Sequence, residues 1–230
     1  MVVLGGEKDR MALVENKDLL SMAKIGRASK PIDLMSYEPE DEQPSIFFLR
    51  EGPRQSILTV FNWTKNTRSH TFDLAQLGLT AEHSYTATDV LNSAATVDLV
   101  GDSLKIQKQI PESVRVIKIV DNNVPAAAPR VNVQVPKDAK TGETIELSAE
   151  AQAEEVPAVE YRWDFGDGTG ATGAKARHAY TKPDNFAVTL TVEGVDGVPA
   201  IQNSSVRVSG LLYAYPKLTD NRRFREPADH

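Results

Sequence analysis

The stretch Tyr161–Gly170, YRWDFGDGTG, contains residue types that are found in metal sites and active sites as well as in tight turns. Asp164 and Asp167 lie close together among several glycines, and His178 follows shortly after them. Carboxylate and backbone oxygens are the ligands of Ca²⁺, which takes about six to eight of them, and a histidine could act as a base or a metal ligand. The same residue types also build tight turns, because aspartate accepts turn N–H groups and glycine adopts positive φ.

We favour the turn over the chemical site. Residues 159–165 alternate, and the side chains expected to point into a core are Val159, Tyr161, Trp163 and Phe165. A strand should therefore end at Phe165, and Gly166-Asp167-Gly168 should form the turn. The spacing of an EF-hand loop, with its final glutamate, is absent. His178 has no second ligand at a metal-site spacing, so we expect it to be hydrogen-bonded into the fold. The sequence thus predicts no catalytic residue, no metal and no cofactor.

The residues around this turn resemble the PKD domain, a family named for polycystic kidney disease protein. The family pattern is W-x-F-G-D-G, then H-x-Y, then a strand of the form V-x-L-x-V. The matching residues are Trp163, Phe165, Gly166, Asp167, Gly168, His178, Tyr180, Val188, Leu190 and Val192. The resemblance implies an immunoglobulin-like β-sandwich in which these residues, with Asp164, form a structural motif. Bacterial members act as spacers or as polysaccharide- or protein-contacting modules on secreted enzymes.

Composition sets the outer limits on function. The net charge is −6 and the chain has no cysteine. Nucleic-acid binding is not expected, because it needs clustered Lys and Arg, and the short group Asn221–Arg225 reads as a solvated tail. Disulfides, cysteine-ligated zinc and thiol catalysis are excluded. No apolar run approaches the ~18 residues of a membrane span, and the N-terminus does not read as a signal peptide.

The N-terminal part predicts a short helix. Asn16 can cap a helix that begins at Lys17, and Gly26 is a plausible stop. The apolar stripe of this helix comprises Leu19, Leu20, Met22, Ala23 and Ile25. A lone helix cannot bury that stripe, so it should pack on the following domain or belong to a larger one. The acidic, proline-bounded residues 38–44 read as a solvated loop.

The remaining chain reads as short strands separated by turns. Between residues 45 and 120 the predicted strands are SIFFLR, SILTVFNW, SHTFDL, HSYTATDVL, ATVDLV, SLKIQ and VRVIKIV. In the second half they are VNVQV, TIELSA, VEYRWDF, FAVTLTV and SVRV. Strands without intervening helices imply an all-β protein of two tandem antiparallel sandwiches, preceded by a short helix.

Domain boundaries follow from these patterns. Residues 1–30 would be the helical remnant of an upstream catalytic domain, and 31–122 the first sandwich. Residues 123–130 form a linker stiffened by prolines. Residues 131–209 would be the PKD-like sandwich, and 210–230 a tail or the start of a further domain.

The first sandwich resembles the C-terminal Greek-key domain of alpha-galactosidase (melibiase-type) glycoside hydrolases. The residues that carry this resemblance are Val60–Trp63, Asp73–Leu79 and Asp89–Leu91. In that family the domain follows a (β/α)8 barrel, which holds the catalytic aspartates. A barrel needs about 250 residues, so it would lie upstream of Met1. No position here matches the catalytic carboxylates, which retaining glycosidases place about 5–5.5 Å apart.

The sequence therefore predicts a non-catalytic accessory region of a secreted bacterial alpha-galactosidase-like enzyme, acting as scaffold and spacer outside the cell or in the periplasm. Its partner would be the absent barrel. A carbohydrate- or cell-surface-polymer-binding module and a structural protein–protein interaction module remain alternatives. Tyr213 and Tyr215 are weak candidates for sugar contact, whereas Trp63 ends an apolar strand and is expected to be buried. Asn62 and Asn203 begin glycosylation triplets.

Overall fold

The computed structural model describes residues 15–36, 39, 42–92, 95–152 and 155–210. Residues 1–14 of the predicted helical remnant 1–30 and the tail from residue 211, with Tyr213 and Tyr215, lie outside these residues. Within the described part, the chain is all-β apart from helix α1 (Lys17–Ile25). The prediction of an all-β protein with two sandwiches is confirmed.

Helix α1 begins and ends where the sequence predicts. The Asn16 side chain accepts hydrogen bonds from the N–H groups of Asp18 and Leu19, and Gly26 closes the helix with a φ of 67°. None of the helix residues is fully buried. Met22 packs against a small cluster on the adjacent sheet, whereas Leu20 stays 42% exposed.

The first sandwich is built from two sheets. One has the order β1-β2-β3-β8-β5 and the other β4-β7-β6. The strands are β1 (Lys30–Pro31), β2 (Ile46–Arg50), β3 (Gln55–Asn62), β4 (Arg68–Asp73), β5 (Tyr85–Asp89), β6 (Val97–Val100), β7 (Ser103–Gln109) and β8 (Ser113–Asp121). Its core holds Leu58, Val60, Phe72, Leu104 and Ile117 with their neighbours.

The second sandwich repeats this plan. Its sheets have the orders β10-β16-β15-β12-β13 and β14-β11-β9. The strands are β9 (Val131–Gln134), β10 (Asp138–Lys140), β11 (Thr144–Ala151), β12 (Ala158–Asp164), β13 (Gly170–Thr172), β14 (Lys175–Ala179), β15 (Asp184–Gly194) and β16 (Ala200–Ser209). The core is centred on Trp163, Phe165, Tyr180, Leu190 and Val206.

Two details differ from the sequence prediction. Strand β10 pairs with β16 in parallel, although an antiparallel sandwich was expected. Pro136 separates β9 from β10, and a proline cannot donate to a strand ladder, so the chain leaves one sheet there and joins the other. Val159 was predicted to face the core, but the register of β12 shifts between Ala158 and Glu160, and Ala158 packs against the core instead.

Candidate functional site: the WDFGDG turn and exposed aromatic residues

The two aspartates of the turn are used by the turn itself. The N–H of Gly166 donates to Asp164 Oδ1 over 2.9 Å. Both the N–H and the hydroxyl of Thr169 donate to Asp167 Oδ1, over 3.0 and 2.6 Å. Each carboxylate thus closes part of the loop between β12 and β13, as expected for aspartate in a tight turn.

Gly166 allows this loop to press against the neighbouring strand. Its φ is 78°, and a Cβ added there would lie 2.3 Å from the carbonyl oxygen of Ala187. Any other residue would be strained by its conformation and would also overlap the β15 backbone. The position therefore requires glycine on two independent grounds.

His178 is held between the turn and the core. Its Nε2 lies 2.8 Å from Asp167 Oδ2, and its ring stacks on Phe165 with centroids 4.2 Å apart. The His178 ring also meets the Tyr180 ring edge-on, with centroids 4.4 Å apart. The Tyr180 hydroxyl donates to the carbonyl of Phe165 over 3.0 Å, and Trp163 Nε1 donates to Gly173 over 2.9 Å.

The electrostatics of the cluster match these contacts. Burial acts to raise the pKa of Asp167, but hydrogen bonds from Thr169 and His178 outweigh it and leave that pKa below its usual value. Burial, with the Asp167 charge, raises the pKa of Tyr180 to about 12. The ionised aspartate and the neutral tyrosine therefore suit hydrogen bonding rather than proton transfer near neutral pH.

Among the described residues, no group of three or more His, Asp or Glu side chains is arranged to hold a metal ion. The calcium alternative for Asp164 and Asp167 thus has no third acidic or histidine ligand in this part of the chain. In the same residues, no helix is long and apolar enough to span a bilayer.

A groove of about 1110 Å³ runs over the outer face of the β14-β11-β9 sheet. Polar side chains line much of it, among them Gln134, Ser148 and Lys175. Arg177 and Glu146 face each other on β14 and β11 and form an ion pair in the lining, with Nη2 and Oε1 2.6 Å apart. No aromatic ring lines the groove, so it lacks the stacking surface that aromatic side chains provide.

The expectation that Trp63 is buried is wrong, because 38% of its surface is exposed. In β3, Leu58 and Val60 face the core, so Phe61 and Trp63 fall on the outer side of the sheet. The two rings stack in parallel with centroids 4.4 Å apart, and Trp63 Nε1 donates to the Pro44 carbonyl over 3.3 Å. Phe47 meets Phe61 edge-on at 5.8 Å. We call Phe47, Phe61 and Trp63 the aromatic patch.

The two glycosylation triplets lie in different surroundings. Asn62 is fully buried, and its amide donates to the carbonyls of Asn66, Gln109 and Ile110. It cannot accept a glycan without losing these bonds. Asn203 lies exposed on β16, where its Oδ1 accepts a hydrogen bond from the hydroxyl of Thr189.

Comparison with known proteins concerns mainly the second sandwich. Residues 126–209 match the PKD domain family. Over 94 residues, 40% of the chain, the protein is 32% identical to a microbial collagenase of Vibrio alginolyticus. The matched residues span 11% of the length of that collagenase.

Two similar solved structures each cover somewhat more than a third of the chain. One, from a study of the promiscuous specificity of carbohydrate-binding modules of the β-sandwich superfamily, is 25% identical. It covers 38% of this chain and 37% of its own, with a TM-score of 0.36. The PKD1 domain of the Vibrio cholerae metalloprotease PrtV is 28% identical, covers 36% of this chain and 99% of its own, and gives a TM-score of 0.28. The match to the PKD domain family is thus confined to residues 126–209, and residues 1–125 lie outside it.

Proposed function

We propose that this chain is a non-catalytic accessory region of a secreted bacterial hydrolase, in which the two sandwiches act as scaffold and spacer. The observation that carries the proposal is the use of Asp164, Asp167 and His178 in contacts that hold the turn together. These contacts give each polar side chain of the motif a role in the fold that involves no substrate. The family match of residues 126–209 supports the same reading.

We also propose the class of enzyme to which this region belongs. The first sandwich would follow a glycoside hydrolase barrel of the alpha-galactosidase type, with residues 31–122 as its C-terminal domain. Support comes from the motifs Val60–Trp63, Asp73–Leu79 and Asp89–Leu91, which are placed around β3, β4 and β5. The collagenase relative offers a peptidase as the other class of parent.

The proposed location is extracellular or periplasmic. PKD domains occur in secreted bacterial proteins, and residues 126–209 match that family. The proposal would fail if the full gene product were found in the cytoplasm by cell fractionation.

The absence of catalysis is tested by incubating the chain with a chromogenic α-galactoside, with galactomannan and with gelatin. We expect no product above that of the buffer, because the polar residues of the motif are engaged in the fold. Turnover of any of these substrates that survives repurification of the chain would overturn the proposal.

A second candidate function, binding of a neutral polysaccharide, is favoured by the aromatic patch. Trp63 is partly exposed, and its ring is held by Phe61 on one face and by the Pro44 carbonyl at the indole N–H. A rigid, exposed aromatic ring costs little conformational entropy when a sugar ring stacks on it. This candidate requires retention of the chain on an insoluble polysaccharide and loss of that retention in Trp63→Ala.

A further inference from the structure

The first sandwich contacts the second at the start of strand β3. Gln55, at the start of β3, is 2% exposed. Its amide donates to the Val195 carbonyl over 2.6 Å and to Asp196 Oδ1 over 3.0 Å, in the turn between β15 and β16. A buried amide with both donors satisfied across the junction is costly to separate, because its polar groups lose their partners unless water replaces them.

Asp196 also ties down the connecting segment. Its Oδ2 accepts a hydrogen bond from the N–H of Ala127, so its two oxygens link the linker and the first sandwich to one turn of the second. At the other end of the linker, Arg54 Nε donates to the Val124 carbonyl over 3.1 Å. The segment that reads as a tether in the sequence is therefore bonded to both sandwiches.

Close packing accompanies these hydrogen bonds. A Cβ added to Gly52 would lie 3.3 Å from Pro157 Cδ, so the backbones of the two sandwiches approach closely there. A Cβ at Gly194 would lie 2.9 Å from Pro129 Cδ, and Pro129 is buried. These positions leave little space for the linker to swing.

Helix α1 bridges the same junction from the side. Asp18 Oδ1 pairs with Lys118 of the first sandwich at 2.6 Å. Lys24 Nζ lies 3.6 Å from Glu160 of the second. Met22 packs between these ion pairs on the cluster that includes Leu49. Exposed ion pairs contribute little singly, but here they fix a helix that spans both bodies.

We propose that this junction locks the two sandwiches at one fixed angle, with Asp196 as its central residue, so that the chain is a rigid strut. Domains joined in one chain move relative to each other by default unless their interface is extensive. In this chain the linker, the Gln55–Asp196 contact and helix α1 act together against that motion. The inference goes beyond the proposed function, since a rigid strut could equally present a binding module.

The test uses distances between spin labels. The natural chain has no cysteine, so Lys65→Cys and Lys175→Cys place one exposed label on each sandwich without interference. Double electron–electron resonance then gives the distribution of the interlabel distance. We expect one narrow distribution in the parent, as for two sites in a single rigid body.

Substitutions at the junction test whether its contacts determine the width of the interlabel distance distribution. Asp196→Ala, and independently Gln55→Ala, should widen the distribution at least about twofold, because the buried contact across the junction would be lost and only the linker and the exposed ion pairs of helix α1 would restrain the angle. The matched control is Asp138→Ala, which removes an exposed carboxylate bonded to Arg207 within the second sandwich and should leave the width unchanged.

A broad distribution in the parent would overturn the proposal, and so would equal widths for Asp196→Ala and Asp138→Ala. Far-ultraviolet circular dichroism checks that each variant is folded. If one junction variant fails to fold, the width of the distribution in the parent and in the other junction variant still tests the proposal. The distance distribution does not depend on whether the chain is retained on polysaccharide. The proposal of a rigid strut and the proposed function can therefore be refuted independently.

Discussion

Gly166 and Gly168 stand on either side of Asp167 in the same turn, and both adopt positive φ. A Cβ at Gly168 would meet nothing within 4 Å, whereas one at Gly166 would overlap the Ala187 backbone. We expect Gly168→Ala to lower the free energy of unfolding by about 1 kcal/mol through conformational strain. Gly166→Ala should cost about 3 kcal/mol or more, because the strand must also move. Urea unfolding measures both, and equal losses would contradict this account of the turn.

Glu51 is a buried carboxyl at the junction, 3% exposed, whose Oε1 has no hydrogen-bond partner among the described residues. Burial raises its pKa from 4.5 to about 7. The charged groups that act on it are Lys118 and Arg27, which lower the pKa, and Asp18 and Asp196, which raise it. The ionised form is therefore the unfavourable one in the folded chain.

The sign of the resulting pH dependence follows by linkage. Between pH 4.5 and about 7 the folded chain binds more protons at Glu51 than the unfolded chain does. The free energy of unfolding should therefore fall as pH rises through this window, by at most about 3 kcal/mol. Glu51→Gln should remove that fall, as measured by urea unfolding from pH 4.5 to 8. The exposed Glu146→Gln is the control, and a Glu51→Gln profile parallel to that of the parent would refute the prediction.

Among the secondary-structure elements, helix α1 has bounds that can be predicted from the neighbouring residues alone. Its start at Lys17 and stop at Gly26 follow from capping, which depends only on neighbouring residues. The cap has a second role that local sequence does not contain, because Asn16 Nδ2 also donates to the Val90 carbonyl over 2.9 Å. This bond attaches the start of the helix to the first sandwich.

The two roles of Asn16, as helix cap and as hydrogen-bond donor to Val90, can be tested by substitution. We expect Asn16→Ala to lower the free energy of unfolding by about 1–2 kcal/mol, from the lost cap and the lost bond to Val90. Asn16→Asp keeps an acceptor for the helix N–H groups but lacks the donor, so its loss should be smaller. Ser21→Ala removes an exposed bond to the Lys17 carbonyl and should change little. Chemical unfolding of the three variants checks this order, and a harmless Asn16→Ala would contradict the cap's importance.

Period-2 patterning predicts the longer strands correctly but misses β1, β10, β13 and β14. The first three have two or three residues each, too few to show alternation. Strand β14 has five residues, but it contains no β-branched side chain and only Ala176 is fully buried. The prediction that Trp63 is buried is wrong for a different reason. An apolar strand end predicts burial, but both faces of the β3 sheet carry apolar side chains, and Trp63 lies on the outer one.

At the scale of the whole molecule, the junction was beyond sequence reasoning. Gln55 and Asp196 are 141 residues apart and each sits beside an ordinary turn, with no motif to mark it. The linker's prolines and small residues are equally compatible with a flexible and a fixed connection. By contrast, the sequence predicts the WDFGDG turn, because its side-chain hydrogen bonds lie within residues 163–180, although the close approach of Gly166 to Ala187 lies outside that range.

Co-sedimentation of the chain with insoluble plant and bacterial polysaccharides, galactomannan included, distinguishes a scaffold and spacer from a binding module. A scaffold and spacer should stay in the supernatant with every polymer, as should Trp63→Ala and the control Ile110→Ala, which removes an exposed aliphatic side chain of the same sandwich. The contradicting result is retention on one polymer that a matching soluble sugar releases. Its loss in Trp63→Ala but not in Ile110→Ala would assign the binding to the aromatic patch.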